Sequence, residues 1–139
     1  MSKNPIPQGK YKPAVRYGNL IYTAGMTPRK DGVLIYSGKV RADEPLETYA
    51  AAIEQAAANA LTAARNCLQE GERIAQILSL TVYVNAESDY VTHAKVGDVA
   101  SNYLFAQLGE AGIGPRAAIG VATLPGNAPV EVQITAAAE

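Results

Sequence analysis

The segment from residue 43 to residue 71 restricts the possible folds more than any other part of the chain, because it reads as one long, alanine-rich helix. Asp43 is its predicted N-cap, Pro45 falls in the first turn, where a missing N–H costs little, and Gly71 is the expected C′ residue. Apolar residues recur at helical spacing, at Leu46, Tyr49, Ile53, Ala57, Ala60, Leu61, Ala64 and Leu68. Alanine runs at 50–52 and 56–58 allow another backbone to approach closely, so this helix is expected to pack against a second layer.

Short apolar runs before this helix predict strands. Ala14–Tyr17 and Leu20–Ala24 flank Gly18-Asn19, which is a two-residue hairpin signal. Val33–Val40 predicts a third, weaker strand that is interrupted at Ser37-Gly38.

The second half of the chain alternates strand and helix and then ends in two strands. The predicted elements are a strand at Ile74–Val84, a helix of about 90–108 capped by Asp89 and ended by Gly109, a glycine-rich loop at 109–115, and strands at Arg116–Leu124 and Pro129–Ala138 joined by a turn at 125–128. The order β-β-β-α-β-α-β-β predicts an α+β fold, with one mixed β-sheet and both helices packed on one face. We expect a single domain over residues 1–139.

Composition excludes several classes of function. Twelve basic and thirteen acidic residues give a net charge of −1, which offers no electrostatic basis for a nucleic-acid partner. Cys67 and His93 are the only residues of their types, so an internal disulfide, a multi-cysteine metal site and a two-histidine metal site are excluded. The sequence has no apolar run of transmembrane length and no signal-peptide core, and we expect a cytoplasmic protein that needs no metal or organic cofactor.

The last strand predicts a second sheet face that is neither apolar nor plainly solvent-like. Val130, Val132 and Ile134 are expected under the helices, which turns Glu131, Gln133 and Thr135 to the other side. Ser79, Thr81 and Tyr83 form a similar row on the central strand. We interpret this face as the contact of a homo-oligomer with a ligand site nearby; the alternative is a lone, solvated sheet.

Two charged residues stand in apolar surroundings and are the candidates for chemistry. Arg116 follows the glycine-rich loop between Pro115 and Ala117, and its guanidinium either pairs with a carboxylate of this protein or binds a ligand's carboxylate or phosphate. Glu131 lies within an apolar strand, where it is either an exposed edge residue or a carboxylate that positions water.

The predicted hairpin sets the distance between these two residues. A turn at 125–128 pairs Glu131 with about Ala122, which lies about 20 Å along the strand from Arg116 and on the same face. If both residues serve one site, we expect them to come from different chains.

Two separated motifs are similar to those of a known family. Residues 18–25, Gly-Asn-Leu-Ile-Tyr-Thr-Ala-Gly, resemble the amino-terminal motif of the Rid family of reactive intermediate deaminases, also called YjgF. The segment from Pro115-Arg116 through Leu124-Pro125 to Val130-Glu131-Val132 resembles that family's carboxy-terminal signature. The resemblance implies a chorismate-mutase-like fold, a homotrimer with three inter-subunit clefts, and hydrolysis of reactive enamine or imine acids to 2-oxo acids and ammonia.

The resemblance also implies roles for single residues. Arg116 matches the arginine that grips the substrate carboxylate and Glu131 the glutamate that positions water. Tyr11 matches the cleft tyrosine, Gly25 a backbone donor, and Ala118 a position where many members have cysteine. The chain departs from the family pattern at Ala24, which replaces a serine, and at Ala94, which replaces an asparagine.

His93 lies beside Ala94 on the second predicted helix. It is either a solvent-facing or locally bonded histidine or a contact for a substrate's polar tail.

The sequence is therefore compatible with two classes of function. The first is an imine or enamine deaminase acting on a small carboxylate, which includes a 2-aminomuconate-type deaminase of an unsaturated diacid. The second is a trimeric protein that binds a small carboxylate for regulation without turnover. The ribonuclease activity sometimes ascribed to the family finds little support, because the chain lacks a basic stripe and an aromatic stacking platform.

Overall fold

The computed structural model describes residues 2–139, which form a five-stranded sheet covered on one face by two helices. The elements in chain order are β1 (Ala14–Tyr17), β2 (Leu20–Thr23), β3 (Arg29–Lys30), β4 (Val33–Leu34), α1 (Glu47–Arg65), β5 (Ile74–Asn85), α2 (His93–Leu108), β6 (Arg116–Val121) and β7 (Val130–Ala138). The strand order of the main sheet is β1-β2-β7-β5-β6, and only the β5–β6 pair is parallel. The predicted α+β fold with one mixed sheet and two helices is therefore confirmed. Within residues 2–139, neither helix is long and apolar enough to cross a membrane.

The amino-terminal hairpin forms at the predicted position. Tyr17 pairs with Leu20, and Gly18 takes a φ of +61°, a conformation that glycine adopts without strain. Of the predicted strand over Val33–Val40, only Val33–Leu34 forms a strand, which is β4, and the rest of that prediction is wrong. Asp31 and Gly32 both have positive φ and close a local hairpin between β3 and β4, a two-residue Asp-Gly turn of the kind that favours such pairing.

Helix α1 is shorter than predicted at both ends. It begins at Glu47 with Leu46 as N-cap, because Pro45 disfavours helical backbone at the residue before it. The predicted cap Asp43 instead pairs with Arg41, with an Nη2–Oδ2 distance of 2.8 Å. Gly71 lies in a later turn, with a φ of +84°, rather than at C′.

Alanines let α1 lie close to the sheet. The fully or nearly fully buried small side chains of this helix are Ala52, Ala56, Ala57, Ala60, Ala63 and Ala64. They pack with aliphatic residues of the central strands, among them Val82 and Val132, to form the core. Helix α2 ends as predicted at Gly109, with a φ of +67°.

Strand β6 differs most from the expectation. It does not form a hairpin with β7; it pairs in parallel with β5, so that β5 lies between them. Helix α2 is the crossover from β5 to β6, and a helical crossover of this length is the usual way to connect parallel neighbours. The chain between Leu124 and Ala128 is a short turn that leads across the end of the sheet to β7.

A partly buried ion pair joins the first strand to the turn after α1. The Arg16 guanidinium donates two hydrogen bonds to the Glu72 carboxylate, at 2.5 and 2.8 Å, and a third to the Cys67 carbonyl. The hydrogen bonds from Arg16 lower the pKa of Glu72 to about 2.

This pair predicts a specific loss of stability in acid. A carboxyl whose pKa is lowered in the folded state stabilises the fold above its ordinary pKa of 4.5, and that contribution is lost as the pH falls towards about 2. We expect Glu72→Gln to make the melting temperature, followed by circular dichroism, depend less on pH between 4.5 and about 2. Asp43→Asn removes a carboxylate from a more exposed pair and serves as the control; an equal flattening there would contradict the assignment to Glu72.

Candidate functional site

A cavity of about 410 Å³ lies where the start of the chain meets β2 and β7. Four of the predicted site residues line it: Tyr11, Ala24, Gly25 and Glu131. Thr27 and Arg29, which follow Gly25 in the chain, complete one side. We call this the glutamate cavity.

Gly25 leaves the space that the Glu131 carboxylate occupies. A Cβ at Gly25 would collide with Glu131 Oε2 and would lie only 2.9 Å from the carboxyl carbon. Only glycine therefore fits beside this carboxylate in its present position. The half-buried setting raises the pKa of Glu131 above its ordinary value, because burial disfavours the charged form.

An amide on α1 holds the loop that carries the other wall. Asn59 is nearly buried, and its Nδ2 donates to the carbonyl oxygens of Thr27 and Arg29, at 3.1 and 2.8 Å. Its Oδ1 accepts a hydrogen bond from Gln55. The loop thus has a fixed conformation in spite of having little regular structure.

Tyr11 is placed by the extended lead-in to β1. Its hydroxyl accepts a hydrogen bond from the backbone N–H of Gln8 at 2.9 Å, and its ring is partly exposed. The phenol therefore stands at the mouth of the glutamate cavity rather than in the core.

The remaining predicted site residues lie elsewhere, on the helix side of β6. Arg116 rests against α2, where its Nη1 donates to Asp98 Oδ1 at 2.9 Å and to Ser101 Oγ at 3.0 Å, and its Nη2 donates to the Ala94 carbonyl. A Cβ at Gly97 would lie 2.8 Å from Arg116 Nε, so this glycine makes room for the guanidinium.

Ala118 and His93 lie along the same strip. A Cβ at Gly97 would also stand 3.2 Å from the Ala118 Cβ, and a Cβ at Gly120 would stand 2.7 Å from His93 Nε2. His93 further packs edge-on against Tyr90, with ring centroids 5.3 Å apart. We call Arg116, Ala118, Gly120 and His93 the arginine strip.

The two sets of residues face opposite sides of one sheet. Arg116 pairs with Leu80, which pairs with Ile134, and both of these are buried under the helices. Glu131 pairs with Tyr83, which pairs with Ile119 on the uncovered face. Directly paired residues point to the same side, so the prediction that Arg116 and Glu131 share a face is wrong. Its cause is the missed crossover, which places β5 between the two strands.

The uncovered face is apolar enough to be an interface. Val15, Tyr17, Leu20, Tyr22 and Ile119 all lie on it and all are exposed. The predicted alternation of β7 is confirmed, since Val130, Val132 and Ile134 are buried and Gln133 is exposed. Tyr83 donates a hydrogen bond to Gln133 across this face, at 3.1 Å.

Sequence reasoning missed three residues that shape these surfaces: Arg29, Asn59 and Gly97. Arg29 follows a Thr-Pro pair and has no periodic pattern around it, and Asn59 was hidden among the alanines of α1. Residues 2–139 contain no group of three or more His, Cys, Asp or Glu side chains placed to hold a metal ion.

Comparison with known proteins now adds to this geometry. A family model described as "YjgF/chorismate mutase-like, putative endoribonuclease" matches residues 4–137. The chain belongs to the YjgF family. The resemblance drawn from the two sequence motifs is therefore confirmed.

Two solved structures share the fold closely. A protein of unknown function from Agrobacterium tumefaciens, Atu1372, is 32% identical with a TM-score of 0.84, over 96% of this chain and 86% of that one. A protein described as a putative endoribonuclease from Shewanella oneidensis is 29% identical with a TM-score of 0.86, over 98% and 90% of the two chains. Protein TCP17 of Trypanosoma cruzi is 28% identical over 127 residues, which is 91% of this chain and 79% of that protein.

Proposed function

We propose that this YjgF-family protein is a deaminase that hydrolyses reactive enamine or imine carboxylic acids to 2-oxo acids and ammonia. The observation that carries the proposal is the half-buried Glu131 carboxylate, set against Gly25 in a cavity large enough for a small acid. A carboxyl whose pKa is raised by burial is suited to take a proton from water and return it.

The proposed site is completed by a neighbouring subunit. Arg116 and Glu131 cannot meet within one chain, because they lie on opposite faces of the sheet. Strand β6 is an edge strand of the sheet. With the exposed apolar residues of the uncovered face forming the subunit contact, that edge and the arginine strip on its helix side would lie beside the glutamate cavity of the next subunit. We propose a homotrimer with three such clefts, as the sequence resemblance implies.

The proposed reaction asks little of the protein beyond positioning. An enamine is first protonated at carbon to give the imine, whose C=N carbon is electrophilic. Water held by Glu131 attacks that carbon while the carboxylate accepts its proton. That proton and then the proton of the new hydroxyl group pass to nitrogen through Glu131, the C–N bond breaks, and ammonia leaves as the C=O bond forms. Arg116 holds the substrate carboxylate through paired hydrogen bonds, for which Asp98 must give up its own contact.

Ammonia release from freshly generated 2-iminopropionate and 2-iminobutyrate tests the proposal. We expect the wild-type protein to accelerate release and Arg116→Ala to abolish the acceleration. Arg73→Ala removes an arginine from an exposed pair at the other end of the sheet and is the matched control. No acceleration by the wild type at high protein concentration would reject the deaminase.

The second candidate is a protein that binds a small carboxylate without turnover. Two observations favour it: Ala24 and Ala94 replace the serine and asparagine of deaminase-type members, and Arg116 is already paired with Asp98. Under this reading Arg116→Ala abolishes binding and Glu131→Ala spares it, and no ammonia is released. Cleavage of RNA by the wild type would instead agree with the description attached to the Shewanella protein.

The raised pKa of Glu131 predicts the pH dependence of turnover. The base must be ionised to accept a proton, so the rate should rise with pH through a midpoint above the ordinary carboxyl value of 4.5. A profile of kcat against pH, with a buffer series of constant ionic strength, measures this midpoint. A rate that is flat down to pH 4.5 would show that Glu131 is not the base.

A further inference from the structure

We propose that Arg29 binds a second anionic group of the substrate, which makes a dicarboxylic imino or enamino acid the preferred substrate class. This inference rests on the proposed function and narrows it. Arg29 lines the glutamate cavity together with Glu131 and Tyr11.

The guanidinium of Arg29 is only partly used by the protein. Its Nη1 donates to the Gly32 carbonyl at 3.0 Å. Its Nε is shielded from solvent and is the one buried side-chain nitrogen or oxygen of residues 2–139 that lacks a hydrogen-bond partner. A buried donor without an acceptor destabilises the fold, so its retention calls for an explanation.

No carboxylate in the described part of the chain forms an ion pair with this cation. The four ion pairs within residues 2–139 use Arg16, Arg41, Arg73 and Arg116. Arg29 is therefore a guanidinium that shares a cavity with Glu131 without forming an ion pair with it.

The edge of the guanidinium that makes no hydrogen bond within residues 2–139 has the shape that a carboxylate needs. Nε and Nη2 form one side of the guanidinium fork, and two parallel N–H groups of this kind bind a carboxylate in bidentate fashion. Nη2 lies beside Gly126, where a Cβ would stand 3.1 Å away, so this glycine keeps space next to the fork. In the proposed complex the carboxylate accepts from Nη2 and from Nε, the buried donor that has no partner among residues 2–139.

Two arginines then each bind one carboxylate of the substrate. Arg116 of the neighbouring subunit holds the carboxylate next to the reacting carbon, and Arg29 holds the one at the far end. Asn59 donates to the Arg29 carbonyl oxygen and so holds the backbone from which the guanidinium extends into the cavity shared with Glu131. A monocarboxylic substrate leaves the Arg29 fork unfilled.

Binding of two matched product analogues tests this inference independently of turnover. 2-Oxoglutarate and 2-oxopentanoate have the same chain length and differ in a terminal carboxylate, and calorimetry gives the affinity of each. We expect the wild type to bind the diacid about ten- to a hundredfold more tightly, and Arg29→Gln to bind the two alike. Lys30→Gln removes a neighbouring cation and should keep the preference.

Other outcomes overturn the inference. Equal affinities in the wild type, or a preference that survives in Arg29→Gln, would reject it. If Arg29→Gln does not fold, Arg29→Lys keeps the charge but loses the fork, and an undiminished preference there would also reject it. A diacid preference that depends on Arg29 in a protein that releases no ammonia would uphold the Arg29 site and reject the deaminase alone.

Discussion

Glu131→Gln should lower kcat for ammonia release by about a hundred- to ten-thousandfold, the usual contribution of a positioned general base. Glutamine keeps the shape of the side chain, so it still fits against Gly25, but it cannot accept the proton of the attacking water. KM for the imino acid should change little, because the substrate carboxylate is held by Arg116. Steady-state kinetics on 2-iminobutyrate measures both constants.

Stability provides the control for this variant. Burial raises the pKa of Glu131, so folding disfavours its ionised form, and any stability linked to this group is lost as the pH rises through the raised pKa. Glutamine removes that penalty, and the melting temperature at neutral pH should not fall. An inactive variant that also melts much earlier would owe its loss to unfolding, and a folded variant with full kcat would remove Glu131 from the mechanism.

Mixed oligomers of two inactive variants should recover activity. When Arg116→Ala and Glu131→Gln chains with different affinity tags are made together, tandem purification isolates oligomers that contain both. In a cyclic trimer built from both kinds of chain, one cleft in three combines an intact Glu131 with an intact Arg116 of the next subunit. We therefore expect about a third of the wild-type rate per trimer, whereas a dimer would give about half.

The same experiment has a matched negative control. Oligomers of Arg116→Ala chains and chains that carry both Arg116→Ala and Glu131→Gln contain no intact Arg116 and should stay inactive. Mixed oligomers of the two single variants that also stay inactive would contradict a shared cleft. Together with the mass of the oligomer, the recovered fraction tests the trimer and the cleft at once.

The sequence predicted where helices and strands lie along the chain better than it predicted which strands pair with each other. Hairpin β1–β2, strand β5 and the end of α2 could be placed because each has a local cause, such as Gly18-Asn19 or Gly109. The Asp31-Gly32 turn is an equally local signal, and it was overlooked beside the longer apolar run that follows it. The start of α1 lies later than predicted because Pro45 prevented the helix from beginning at the predicted cap residue, Asp43.

The position of β6 had no local cause and so could not be read from its own residues. The turn at 125–128 is compatible with a hairpin, whereas the pairing is decided by the helix that links β5 to β6. This error changed the site, because it reversed the face on which Arg116 lies. Asn59 hydrogen-bonds to Thr27 and Arg29, which are about 30 residues away in the chain. The roles of Arg29 and Asn59 therefore become visible only in the folded structure.

The placement of β7 has a consequence for how the protein is made. The last of the five sheet strands to leave the ribosome lies between β2 and β5, so the sheet cannot close during synthesis of the preceding segments. Until β7 emerges, two apolar strand edges stay open, and such edges are prone to pair with other chains. In a nascent chain, the facing edges of β2 and β5 are therefore covered only once β7 has been made and pairs with both.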